Sequence, residues 1–294
     1  MTRRCPVGPD VRLGPGDDAA WLATGQVVSV DTLVQGVHFD ARLSWQDVGY
    51  KAVAVSISDI AAMGATPAWM VVSLSLPRGF AHIEALAEGI GEACTQYRVT
   101  LAGGDTTRSP GPVVVSVTLA GNTEAPVLRS GAIAGHDLWV SGHPGLAGAG
   151  YLLAEPPAAA LAALRRPRPP VALATALANA GIPSAMMDVS DGIAADAARL
   201  ARASHVGLRL EPERFPVHPA LHGYDVVDLA MRGGDDYQLL FTAGEEHTDH
   251  IVSLAHEHGI PLTRIGEATA TGQTELVGHD WPQPAFEHFA AGDA

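Results

Sequence analysis

Nine of the 19 aspartates (Asp17, Asp18, Asp31, Asp59, Asp105, Asp188, Asp191, Asp235 and Asp236) fall at or near the ends of predicted elements, and most have glycine within two or three residues. Each alone reads as turn chemistry, because Asp and Gly are ordinary turn residues. Together, following apolar strands and without local basic partners, they point to several sites converging on one cleft. Carboxylates with neither cysteine nor paired histidine beside them suit hard cations, magnesium first, which take oxygen ligands and keep several waters. The flanking glycines let backbone N–H groups approach phosphate oxygens. The chemistry that uses both is phosphoryl transfer with several magnesium ions.

Asp59 is the sharpest of the nine. It sits in SWQDVGYKAVAVSISDIAAMG, residues 44–64, where Ser44 and Asp47 resemble a capping box and Gly64 followed by Pro67 reads as a stop. A helix of about five turns is expected, apolar on nearly every face from Ala52 to Met63, so Asp59 is expected largely out of water. It falls in the last turn or so, where the helix dipole disfavours an anion. Isolating a carboxylate there costs several kcal/mol, on the order of a buried unpaired charge. The sole lysine, Lys51, is eight residues back, roughly 12 Å along the axis at 1.5 Å per residue. An arginine from elsewhere, a proton or a metal ion remains as partner.

Composition removes other classes. The net charge of -14, from 32 acids against 18 bases, argues against a nucleic-acid backbone as partner. With one lysine, inside GYKAV, no Walker A loop can exist, so any ATP is handled without one. Two cysteines make neither a disulfide framework nor a thiolate metal site, and a reducing cytoplasm is the expectation. No apolar run approaches membrane-spanning length, and the N-terminus lacks a signal-like segment. His247, His250, His256 and His258 lie on an otherwise polar helix face and read as solvated, not as a zinc site. The run HPGLAGAG lacks strict dinucleotide-loop spacing, and no nucleophile elbow is present.

The positioning elements follow. VRLGPGDDAA places two acids after a Gly-Pro-Gly turn, a strand over 27–30 ends in Asp31, and the long helix leads to a strand over 69–76. A helix over 82–97 precedes a short strand ending at Ala102, a Gly103-Gly104-Asp105 corner and a strand over 113–119. Strand, helix, strand, helix, strand, strand implies an α+β sandwich over residues 1–125. Residues 126–294 read as a C-terminal α/β domain: a strand over 137–140, a glycine-rich turn into a helix, a Pro-rich corner over 165–170, then a helix over 171–180. MMDVSDGI feeds an amphipathic helix, RGGDDYQLLF repeats the glycine-acid pattern before a strand, and a helix (247–258) and a strand (263–266) precede the closing AFEHF.

The motifs GPGDDAA, SVDTLVQGVHF, KAVAVSISDIAAMGATPAW, LAGGDTT, LRSGA, MMDVSDGI, GGDDYQLLF and AFEHF, in this order over nearly the whole chain, resemble the thiamine-monophosphate kinase family. That family belongs to a superfamily with aminoimidazole ribonucleotide synthetase, selenophosphate synthetase and a hydrogenase-maturation factor. The resemblance implies ATP-dependent phosphorylation of thiamine monophosphate to thiamine diphosphate. It implies a homodimer through the N-terminal domains, with the C-terminal domain completing the active-site cleft. Carried over, it makes Asp18, Ser29, Asp31, Asp59, Asp105, Asp188 and Asp191 magnesium ligands, with Asp59, Asp105 and Asp191 central to catalysis. Gly104, Asp105, Arg129 and Ser190 become ATP contacts, and His38, Asp235 and Phe286 face the thiamine phosphate. Val30 stands where the family has Ser or Thr, Asp235 where it has Glu, and Pro15 where it has an apolar residue.

Overall fold

The computed structural model describes residues 8–283. The closing AFEHF motif, and with it Phe286, lies outside the described residues. The chain divides into two compact units. The first takes the chain through Leu128 together with Arg165–Asn179; the second takes Arg129–Leu164 and the chain from Ala180 onward.

The first unit is built on a six-stranded mixed sheet in the order β1-β2-β3-β6-β4-β5. Its strands are β1 (Val11–Leu13), β2 (Ala20–Leu22), β3 (Gln26–Val34), β4 (Thr66–Leu76), β5 (Thr100–Arg108) and β6 (Val114–Asn122), with α1 (Trp45–Ala62) and α2 (Ile83–Tyr97) between them. Only β4 and β5 pair in parallel. Alternation along β3, β4 and β6 turns Val27, Leu33, Met70, Val72, Val115, Val117 and Leu119 into the core under α1. The opposite face carries Val28, Val30, Thr32, Val34, Val114, Ser116 and Thr118, none of them buried.

Three local expectations change. Two short strands, β1 and β2, flank the GPGDD bend. β3 runs on through Asp31, because the alternating pattern continues past the acid to Leu33. Gly103, Gly104 and Asp105 form no corner; they lie inside β5, which is exposed along its whole length. An edge strand packed on neither face has no side-chain layer for its glycines to disrupt.

Helix α1 begins as expected. The Ser44 hydroxyl accepts the Asp47 N–H at 3.1 Å and the Asp47 carboxylate accepts the Ser44 N–H at 3.2 Å. From Val48 to Ala65 every residue is buried except Asp59, which is half-buried. Lys51 is fully buried on this helix. Gly49 and Gly89 let α1 and α2 touch backbone to backbone: a Cβ on Gly49 would overlap the Leu86 carbonyl, and one on Gly89 the Gln46 carbonyl.

The second unit follows with β7 (Asp137–Ser141), α3 (Leu146–Leu152) and α4 (Ala158–Arg165). After α5 (Val171–Asn179) come β8 (Ala185–Val189), α6 (Ile193–Ser204), β9 (Gly207–Leu210), α7 (Val226–Arg232), β10 (Gln238–Ala243), α8 (Thr248–His258), β11 (Leu262–Thr269) and β12 (Glu275–Leu276). Its sheet order is β12-β9-β11-β7-β10-β8, antiparallel throughout except for β12 on β9. Both units are thus α+β, a mixed sheet with helices. β7 and β8 are buried at every position, which is why they read as unbroken apolar runs interrupted by single acids.

Helix α5 belongs to the first unit and packs on the end of α1, where a Cβ on Gly64 would lie 2.5 Å from that of Ala178. Arg166, just before it, bonds Asp47 at 2.8 Å, pairs with Glu92, and lies over the Tyr50 ring at 5.0 Å. Burial pushes the Asp47 carboxyl up, but hydrogen bonds from Arg166 and Ser44 outweigh it and hold it low. One carboxylate therefore caps α1 and anchors the segment leading to α5.

Gly89→Ala is expected to destabilise the protein by about 2 kcal/mol or more, the scale of overpacking against an unyielding backbone. Urea denaturation should show the midpoint falling with an unchanged slope, whereas Gly91→Ala on the exposed side of α2, with nothing near its Cβ, should not lower it.

Candidate active site

In the first unit, residues two apart on β3 share a face, so Ser29 and Asp31 both look toward α1. There the Ser29 hydroxyl donates to an Asp59 oxygen, and Asp31 shares hydrogen bonds with Asp59 and with Ser56, one turn earlier on α1. Asp18, buried in the bend before β2, places a carboxylate oxygen within 4.8 Å of one from Asp59. Val30 points to the other side of β3 and is 62% exposed, so its replacement of a hydroxyl residue leaves the Ser29–Asp31 face unchanged.

Three carboxylates and a hydroxyl thus meet where α1 has its one break in burial. Burial holds the Asp31 carboxyl above its ordinary range, against its bonds to Asp59 and Ser56, and its Oδ2 is buried with no hydrogen-bond partner. An all-oxygen set with an orphaned carboxylate oxygen fits a hard divalent cation.

The sheet sets Asp105 apart from this group. Asp105 pairs with Ser73, Ser73 with Ser116, and Ser116 with Thr32, one row across four strands. At ~4.8 Å per strand that is about 14 Å between Asp105 and β3. Gly104 precedes it on the same exposed strand. His38, in the loop after β3, accepts the Val34 N–H on Nδ1 at 3.0 Å, so the neutral ring carries its proton on Nε2. Next to it Phe39 is buried and meets Trp45 edge-on at 5.9 Å; Trp45 in turn stacks on His82 at 5.7 Å.

In the second unit, Asp188 is buried on β8, and Ser190 and Asp191 form the turn into α6. That turn is held from below by Asp196, which sequence reading overlooked. Fully buried, it accepts the Ser190 and Asp191 N–H groups, both at 3.0 Å, while Arg199 bridges Asp196 and Asp191, each at 2.5 Å. The signal was available: Asp196 lies three residues after Ile193 and four before Leu200, on the buried stripe of α6. Arg129, at the start of this unit, has its carbonyl bonded by the Ser204 hydroxyl at 2.8 Å.

The Gly-Gly-Asp-Asp loop lies against the same turn. The Asp235 N–H donates to the Ser190 carbonyl at 2.8 Å and the Tyr237 N–H to Val189 at 2.8 Å. Asp235 and Tyr237 both adopt left-handed backbone (φ 67° and 50°), an arrangement that costs non-glycine residues energy and clusters at functional sites. The Tyr237 hydroxyl donates to the Asp235 carboxylate at 2.9 Å. Between them Asp236 turns inward and accepts the N–H groups of Gly145 (2.6 Å) and Ala147 (3.0 Å).

Burial pushes Asp196 up to about 7, helped by the Asp191 charge and opposed by Arg199. Burial likewise pushes Asp236 up to about 7 against its two backbone donors. An unfolded aspartate titrates near 3.9, so between about pH 4 and 7 the folded chain holds protons that the unfolded chain has released. Stability therefore falls as pH rises through that window and levels off above it. Unfolding free energy measured by urea from pH 5 to 8 is expected to decline, with a shallower slope in Asp236→Asn; an unchanged slope would remove Asp236 as a source.

Comparison with known proteins identifies the family. Residues 16–123 match the AIR synthase related protein N-terminal domain, and residues 134–279 the corresponding C-terminal domain. The chain is 37% identical to a thiamine-monophosphate kinase of Rhodopirellula baltica over 96% of this chain and 89% of that one. To the enzyme of that name from Escherichia coli K12 it is 35% identical, over 96% and 93%. The crystal structure of thiamine-monophosphate kinase from Stenotrophomonas maltophilia superposes with a TM-score of 0.80 at 38% identity, covering 92% of each chain. A structure described as AaThiL complexed with AMPPCP and TMP superposes with a TM-score of 0.84 at 30% identity, covering 93% of this chain and 91% of that one. Two AIR-synthase-related domains, in order and nearly full length, together with these relatives place the chain in the thiamine-monophosphate kinase family.

Proposed function

We propose that this protein transfers the γ-phosphoryl group of ATP to the phosphate of thiamine monophosphate, giving thiamine diphosphate and ADP. The observation that carries this reading is the convergence of Asp18, Ser29 and Asp31 on Asp59, with one Asp31 carboxylate oxygen buried and without a hydrogen-bond partner. It is supported by relatives that bear the name of that activity and by a neighbour holding an ATP analogue and TMP.

The transfer is direct and in line. An oxygen of the acceptor phosphate attacks the γ-phosphorus while the bond to the bridging oxygen breaks, and its electron pair leaves on ADP. A phosphate monoester is largely ionised at pH 7, so no general base is required. Asp18, Ser29, Asp31 and Asp59 would hold magnesium in the first unit, and Asp188 and Asp191 in the second, with Asp105 a further ligand on β5. Magnesium held there would supply charge neutralisation for the transferring phosphoryl group. The chain's own groups position the reactants. Gly104 and the Ser190 turn offer backbone, and Arg129 a guanidinium, to ATP. His38 presents its Nε2–H, and Asp235, oriented by Tyr237, a carboxylate, to the thiamine phosphate. Phe286 keeps its assignment from the family pattern.

We place the enzyme in the cytoplasm as a homodimer, acting on neither nucleic acid nor membrane. No described helix is long and apolar enough to cross a membrane. The uncovered β3–β6–β4 face, with Val30 exposed beside Thr32 and Ser116, is the surface for a second copy. Light scattering should give twice the chain mass, falling to the chain mass in Val30→Glu; a monomeric parent would remove the dimer reading.

ADP release measured with thiamine monophosphate, with thiamine, or without acceptor tests the activity. Turnover only with the monophosphate is expected, and binding of ATP without turnover would mark a non-catalytic protein. Label retained on the enzyme after incubation with γ-labelled ATP alone would rule out direct transfer. Asp59→Asn is expected to lower kcat by about 10²- to 10³-fold, the scale of losing transition-state charge stabilisation, with the thermal midpoint retained. Normal turnover and magnesium dependence in that variant would return Asp59 to a purely structural role.

A further inference from the structure

The β8–α6 turn and the Gly-Gly-Asp-Asp loop meet at Ser190, flanked by the Tyr237 N–H on the Val189 carbonyl and by Gly192 against the Gly233 carbonyl. Ser190 gives its N–H to Asp196 and receives the Asp235 N–H on its carbonyl, so both sides of its backbone are fixed by fully or partly buried partners. Asp191, next along, gives its N–H to the same Asp196 oxygen, and its carboxylate accepts from the Arg199 guanidinium. Gly234 presses on the far side: a Cβ there would overlap the Ser190 carbonyl oxygen. The Ser190 backbone, bonded on both sides, is therefore a direct route by which displacement of either loop reaches the other.

We infer that Asp196 is a positioning residue for phosphoryl transfer: its buried carboxylate fixes the backbone of Ser190 and Asp191 and, through the Ser190 carbonyl, the loop carrying Asp235. Asp196 acts through the backbone it holds and touches no reactant itself. It sets where the nucleotide-side and acceptor-side loops stand, so disturbing it alters recognition of both substrates together. This rests on the reading of Ser190 and Asp191 as nucleotide and metal residues and of Asp235 as an acceptor contact.

Asp196→Asn keeps the size but places an NH₂ among donors that need an acceptor. Steady-state kinetics should show the KM for ATP and the KM for thiamine monophosphate both raised about tenfold, the scale of one lost charge-assisted hydrogen bond. Asp137→Asn is the control: Asp137 is similarly buried and bonded by Arg264, far along β7 from this turn. It should lower the thermal midpoint with both KM values retained. Gly234→Ala, which pushes on the Ser190 carbonyl from the acceptor-side loop, should raise the KM for ATP as well, and it decides the matter if Asp196→Asn does not fold. A folded Asp196→Asn with both KM values at the parent's level would overturn the inference. So would a Gly234→Ala that shifts only the thiamine monophosphate constant. A parent without phosphate-acceptor-dependent ADP release would instead remove the function on which the inference stands.

Discussion

Carboxylates gathered against a helix that is otherwise buried on every side are the constraint around which the first unit is arranged. α1 is buried on all sides from Val48 to Ala65, and its one gap is Asp59. The gap opens toward β3, where the two-residue period delivers Ser29 and Asp31, and toward the bend that delivers Asp18. Burial opposes ionisation of the Asp31 carboxyl, and the apolar helix beneath it keeps water from relieving that cost. The capping box, the Gly49–Gly89 contact and the α5 anchor keep the helix from yielding to the acids set against it.

The second unit meets the same difficulty differently. Two of its buried acids are satisfied by backbone: Asp196 by the turn before α6, Asp236 by the start of α3. Arg199 adds charge at one of them. The acids that face outward, Asp191 and Asp235, stand on backbone fixed by the acids that face inward. The doubled Asp235-Asp236 is therefore two jobs side by side, separated by one residue's reversal of direction, and the left-handed backbone at Asp235 and Tyr237 is the geometric cost of that reversal.

Much of this was legible in the residues. Ser44 and Asp47 gave the helix start, Gly64 its end, and periodicity located β7, α5, α6, β10, α8 and β11, while α4, β9, α7 and β12 were not anticipated. What misled was glycine beside aspartate, which reads as a turn wherever it occurs. At Gly103–Asp105 the chain stays extended, because an edge strand without packing does not exclude glycine. At Asp31 the strand simply continues. Asp196 was overlooked because a charged residue on a helix suggests solvent, although its spacing from Ile193 and Leu200 put it inside. The distance of Asp105 from β3 depends on strand order, which local pattern does not encode.

The chain's only lysine is sealed inside α1, and every other fixed cationic side chain is arginine. Arginine stays charged across all ordinary pH and is not a substrate for acylation at nitrogen as lysine is. The folded surface thus offers no lysine amine to acetyl donors, ubiquitin-type conjugation or reducing sugars. Its positive charges form a fixed pattern that cellular acylation cannot edit, and lysine reactivity becomes a property of the unfolded chain alone.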